Sequence, residues 1–90
     1  MIKTLKIKVT GKVQGVGYRK FSKAKADALK ITGWSKNLSD GSVEIYAQGD
    51  GVHLENFLSL LKTGPIKAQV EDVKFETIAD QNFSHFEILE

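Results

Sequence analysis

Leu5, Ile7 and Val9 alternate with Lys6, Lys8 and Thr10. A strict period of two with one charged side is a strand half-exposed to water, spanning residues 2–10. This feature constrains the chain most, because such a strand buries one side only and needs a cover for it. The alternation recurs in Val43, Ile45 and Ala47 against Glu44, Tyr46 and Gln48. Together they describe a sheet with one wet face. The 90 residues contain no Cys, so the cover is not a disulfide scaffold, and Cys-based zinc sites and thiol nucleophiles are excluded. With 41% hydrophobic and 27% charged residues, the chain has the composition of one globular domain, residues 1–90.

Two helical patterns supply the cover. The first runs over residues 18–31, with Phe21, Ala24, Ala28 and Ile31 on the apolar side and Leu29 beside them. Lys20, Lys23, Asp27 and Lys30 form its polar side, and Gly33 reads as its stop. The second spans residues 51–62, with Leu54, Phe57, Leu58 and Leu61 inward, Asp50 as cap and Gly64-Pro65 as end. Residues 34–38 and 43–48 read as strands around a Ser39-Asp40-Gly41 turn. A strand over residues 68–78 follows. Val70 is out of phase with Val73 and Phe75, so a bulge is expected near Glu71-Asp72. Phe86 and Ile88 mark a short last strand. The order β-α-β-β-α-β, with that extra strand, implies an α+β fold: a ferredoxin-like split β-α-β sandwich, an antiparallel sheet with two helices on one face.

This topology places two chain segments together. A right-handed crossover makes the first two strands parallel, and the third lies between them. The glycine loop after the first strand and Asn37 at the end of the second then share one sheet edge, about 10 Å apart.

Charge is uneven along the chain. Residues 1–36 hold ten Lys/Arg and one acid, Asp27, a balance of +9; residues 37–90 hold three Lys and ten acids, a balance of −7. Such a split suits a first third that faces an anion, or lysines that merely solvate one strand and one helix. The stretch Gly11-Lys12-Val13-Gln14-Gly15-Val16-Gly17-Tyr18-Arg19 leads from strand to helix. Glycines there can turn successive N–H groups inward, and the helix start offers no Ser, Thr, Asp or Asn cap. Arg19 in the first turn opposes the helix dipole, which suits an anionic ligand. On spacing alone, a plain glycine-rich connector with a solvated Arg stays open. Neither a P-loop nor a dinucleotide fingerprint fits.

The stretch resembles the acylphosphatase signature G-x-V-Q-G-V-x-F/Y-R. A second motif of that family, G-W/Y-x-x-N-x-x-D/N-G-x-V-E, is similar to Gly33-Trp34-Ser35-Lys36-Asn37-Leu38-Ser39-Asp40-Gly41-Ser42-Val43-Glu44. The resemblance continues through Ala47-Gln48-Gly49, Gly64-Pro65 and Phe83-Ser84-His85-Phe86-Glu87-Ile88. It implies a hydrolase of acyl phosphates that needs no cofactor and no metal. It further implies that Arg19 binds phosphate and is catalytic, that Asn37 positions the attacking water, and that the N–H groups of Gly15, Val16, Gly17, Tyr18 and Arg19 hold the phosphate. The implied partner is a small acyl phosphate, with phosphate or sulfate as competing anion.

Other readings are weaker. An RNA-binding module on this topology needs aromatic residues on the open strand faces, and only Tyr46 is expected there, so no nucleic acid partner is expected. Trp34 and Phe21 read as core residues. A non-catalytic phosphate sensor would have little use for both Arg19 and Asn37. The acylphosphatase-type module of carbamoyl-transfer maturation proteins would call for further domains. His53 and His85 lack neighbours at metal-ligand spacing. No apolar run reaches 18 residues, so no membrane is expected; with no export signal the cytoplasm is the expected place, and the resemblance implies a small monomer.

Overall fold

In the computed structural model, which describes all residues Met1–Glu90, the alternating first strand is β1 (Ile2–Lys12). It is followed by α1 (Tyr18–Ala28), β2 (Thr32–Asn37), β3 (Val43–Asp50), α2 (Gly51–Thr63), β4 (Gln69–Ile78) and β5 (Phe86–Leu89). The sheet order is β4-β1-β3-β2-β5. β1 and β2 thus run parallel with β3 between them, as the crossover argument requires. The ladders β1–β3, β1–β4 and β2–β3 are antiparallel, whereas β5 joins β2 in parallel, so the sheet is mixed rather than purely antiparallel.

Alternation decides the layers. Leu5, Ile7 and Val9 of β1 and Val43, Ile45 and Ala47 of β3 are buried beneath Leu54, Phe57 and Leu61 of α2. Full burial of such aliphatic and aromatic side chains contributes about 1.5–3 kcal/mol each. Asp50 caps α2 as expected, its carboxylate accepting from the Val52 N–H at 3.0 Å. The expected bulge is present: register passes from Thr10 opposite Asp72 to Gly11 opposite Val70, leaving Glu71 unmatched.

Four expectations about β2 and the first helix change. α1 ends at Ala28, not Ile31, and its buried side is Tyr18, Ser22 and Ala26; Ala24 and Ala28 are exposed. Alanine marks a helix face weakly, since it costs little on either side, and here small Ser22 and Ala26 face inward. Lys30 takes the left-handed conformation (φ 57°) after the helix. The Ile31 N–H reaches back to the Ala26 carbonyl (2.8 Å) and the Lys30 N–H to that of Asp27 (3.3 Å), a Schellman ending usually built on glycine. Gly33 is no stop but a residue of β2 at φ 141°, where a Cβ would lie 1.8 Å from the Tyr46 carbonyl oxygen. Trp34 is not core either. It is half-buried on the helix-free face and stacks on Tyr46 at 4.3 Å.

β4 and β5 occupy opposite edges, so the segment joining them must cross the sheet. Polar contacts fasten it: Thr4 Oγ1 donates to Asp80 Oδ1 (2.9 Å), and the Gln48 amide exchanges hydrogen bonds with the Gln81 N–H (2.8 Å) and carbonyl (2.9 Å).

Candidate active site

β1 delivers its chain end into a loop that carries two left-handed glycines, Gly15 (φ 73°) and Gly17 (φ 80°). Alternating hand along a backbone turns consecutive N–H groups toward one concavity, the geometry of an anion nest. Gly17 is the N-cap of α1 and offers no side chain, and no acid stands in the first turn. The N–H groups of Gly15, Val16, Gly17, Tyr18 and Arg19 donate to no protein oxygen. The positive end of α1 therefore faces the loop with free donors.

A pocket of about 300 Å³ opens there, lined by Val13, Gly15, Gly17, Tyr18, Arg19, Lys20, Asn37 and Ile88. Two cations and no acid border it. Arg19 and Asn37, 18 positions apart in sequence (37 − 19), meet at this one concavity. Val16 is the exception among the expected residues: its half-buried side chain packs against the core and does not line the pocket.

Each functional group is held by something specific. The Arg19 Nη1 donates to the Leu89 carbonyl at 2.7 Å, so β5 fixes the guanidinium and leaves its other N–H groups for a ligand. One turn later Lys23 Nζ donates to the Phe86 carbonyl at 3.0 Å and to Asp27 Oδ2 at 3.0 Å, so this half-exposed lysine also reaches β5. Tyr18 is buried, and its hydroxyl donates to the Leu61 carbonyl at 2.7 Å. The N–H that would normally pair with that carbonyl belongs to residue 65, which is proline. Burial pushes the Tyr18 phenol well above its ordinary pKa.

Asn37 Oδ1 is enclosed and has no hydrogen-bond partner. An enclosed carbonyl oxygen without a donor is costly unless a bound molecule donates to it. The turn beyond Asn37 is closed by hydrogen bonds. The Leu38 N–H donates to Ser42 O (2.9 Å), and Asp40 Oδ1 accepts from the Ser42 N–H (2.9 Å) and hydroxyl. Lys8 Nζ reaches Asp40 Oδ2 at 2.9 Å. The Ser42 hydroxyl bond first, then Lys8, hold the Asp40 carboxyl well below the usual carboxylate range.

Sequence reasoning missed the part that joins the two halves. Gln14 Nε2 donates to the carbonyls of Leu38 (2.8 Å) and Ser42 (2.9 Å), clamping the loop onto the hairpin that carries Asn37. A neutral amide among glycines was the available signal. Lys20, Val13, Ile88 and the Leu89 carbonyl were not expected at the site, the last because a main-chain oxygen leaves no mark in a sequence. No group of three or more His, Cys, Asp or Glu stands close enough to hold a metal ion, and no helix is long and apolar enough to cross a membrane.

The chain is similar to known proteins over nearly its whole length. An acylphosphatase of Pseudothermotoga lettingae is 43% identical over 88 residues, covering 98% of this chain and 99% of that one. The acylphosphatase structures of Coxiella burnetii (38% identity, TM-score 0.95, covering 98% and 93%) and Bacillus subtilis (36%, 0.95, covering 100% of both) superpose on it. The family profile for acylphosphatase matches residues 5–88, the span from the first buried strand to the strand that holds Arg19, and the chain belongs to that family.

Proposed function

We propose that the chain, as a single domain over residues 1–90, hydrolyses acyl phosphates without a metal, with phosphate bound by Arg19 and the 15–19 amides and water held by Asn37. The single observation that carries this reading is the unpartnered Asn37 Oδ1 in the same pocket as Arg19 and the free amide donors. Guanidinium and main-chain N–H groups suit the three equatorial oxygens of a phosphoryl group, whose charge they stabilise through the transition state. Water donates a hydrogen bond to Asn37 Oδ1 and attacks phosphorus in line. The oxygen–phosphorus bond to water forms as the bond to the acyl oxygen breaks. The carboxylate leaves with the bonding pair, and both water protons end on phosphate, giving carboxylate and dihydrogen phosphate. A carboxylate leaves readily, so no strong acid is needed, and Asn37 has no basic pair to offer at neutral pH. The work is positioning and electrostatics.

Hydrolysis of benzoyl phosphate in excess chelator tests the whole reading. Full turnover with chelator present is expected, with inorganic phosphate and sulfate competing. Loss of turnover on chelation, restored by a divalent ion, would refute a metal-free site.

A further inference from the structure

Phosphate and water use only part of the pocket. In the proposed function the glycine nest and Arg19 take the phosphoryl group, and Asn37 takes the water. Of the lining residues, only Val13, Lys20 and Ile88 remain for the acyl group. Val13 is 1% exposed and has almost no surface to offer. Ile88 is 36% exposed, and it directly precedes Leu89, whose carbonyl holds the guanidinium at 2.7 Å. An acyl group joined to a phosphate on Arg19 therefore has an aliphatic wall beside it.

Lys20 calls for an explanation of its own. It is the third residue of α1, where the positive end of the helix disfavours a cation. No acid stands in the first turn to offset it, and no acid lines the pocket. Lys20 is exposed and belongs to none of the four ion pairs. The phosphate already has a guanidinium, main-chain donors and the helix dipole. A second cation on the same wall suits a second negative charge on the substrate.

We propose that Ile88 and Lys20 form the acyl end of the pocket, and that Lys20 selects acyl phosphates whose acyl group itself carries a carboxylate. The inference rests on the proposed function and names its substrate class. Ile88 meets the carbon stem, and the Lys20 ammonium meets the distal charge. A lone ammonium is a point charge, without the fork of an arginine or a nest of amides, so it suits a single carboxylate better than a second phosphate.

The test compares kcat/KM for benzoyl phosphate with that for its 3-carboxy and 4-carboxy derivatives at pH 7, where the ring carboxyl is ionised. The readout is the ratio of carboxylated to plain substrate, in which intrinsic reactivity and any general loss of activity cancel between parent and variant. For the better-placed isomer, Lys20→Gln should lower this ratio about five- to tenfold. Lys20→Glu should lower it further, and Lys20→Arg should keep it near the parent value. Added salt should lower the ratio in the parent and leave it level in Lys20→Gln. Ile88→Ala should raise KM for benzoyl phosphate more than for acetyl phosphate; an equal rise would remove Ile88 from the acyl end. Circular dichroism checks that each variant folds. Ratios within about twofold of the parent in Lys20→Gln, for both isomers, overturn the role of Lys20 and leave the proposed function standing. A parent chain that hydrolyses none of these substrates overturns both.

Discussion

The proposed function gives Arg19 and Asn37 different tasks, so their removal should leave different kinetic signatures. In the proposed mechanism the Arg19 guanidinium binds phosphate in ground state and transition state alike. Arg19→Ala should therefore abolish inhibition by inorganic phosphate and lower kcat/KM on benzoyl phosphate by about 10³-fold, near the loss of one preorganised donor at 3–4 kcal/mol. Turnover within about tenfold of the parent would remove Arg19 from the role. On the same proposal Asn37 meets the water rather than the phosphate, so Asn37→Ala should lower kcat and leave the phosphate inhibition constant close to that of the parent. Equal losses in both would make Asn37 an anion ligand instead. In the sequence this division comes only from the resemblance to the family motifs; Arg19 against the helix dipole suits an anionic ligand but leaves a solvated arginine open. What holds Arg19 in place is not legible there, since the Leu89 carbonyl could belong to any residue type.

Elements meet through a few side chains, and Gln14 is the one between loop and hairpin. All the proposed anion donors sit on one continuous stretch, residues 15–19, whereas Asn37 comes from β2. Loosening the clamp should therefore disturb the water more than the phosphate. Gln14→Met keeps the length and removes both donated bonds; we expect kcat to fall about tenfold with KM nearly unchanged, and stability to fall by about 1 kcal/mol. A rise in KM at constant kcat would show that Gln14 shapes the nest instead. The end of α1 gives a stability prediction. Lys30 holds a left-handed conformation that costs an L-residue roughly 1 kcal/mol, so Lys30→Gly should raise the melting temperature by about 4–8 °C. A lower melting temperature would mean that the Lys30 side chain contributes more than its strained backbone costs. Element order, the α2 cap and the Glu71 bulge were legible because each leaves a local signature in phase or residue type. The face of α1 was not. Its inward residues are Tyr18, Ser22 and Ala26, and the polar Ser22 and small Ala26 reveal their burial only once β2, with Gly33 and Ser35, is packed beneath them.

At the scale of the molecule, three shifted groups give stability an acid arm and an alkaline arm. Asp40 and Asp50 are both held below their unfolded pKa of about 4, Asp40 chiefly by Ser42 and Lys8, Asp50 chiefly by the Val52 N–H and then the chain amino group. A depressed carboxyl binds fewer protons folded than unfolded. Its stabilisation is thus complete above about pH 4 and is lost as pH falls below that value. Tyr18 is shifted the other way, its phenol kept neutral by burial between α1 and α2. The folded chain then holds a proton that the unfolded chain releases above about pH 10, so this contribution is intact below pH 10 and is lost as pH rises past it. Urea midpoints should accordingly be level from about pH 5 to 9 and fall on both sides. Asp40→Asn keeps the Asx-Gly turn but cannot titrate, so its midpoint should lie below the parent near neutrality and approach it in acid. Tyr18→Phe should do the same toward alkali, where the parent loses what the variant never had. Curves that stay parallel to the parent at either end would mean that the Ser42–Asp40–Lys8 bonds, or the Tyr18–Leu61 bond, carry no linkage to folding. The acid arm also reaches the pocket, because the turn that Asp40 braces is the one Gln14 grips and Asn37 enters. Phosphate inhibition in Asp40→Asn should then match the parent at pH 7 while kcat falls, the same signature as Gln14→Met, since both variants loosen one hairpin against one intact anion loop.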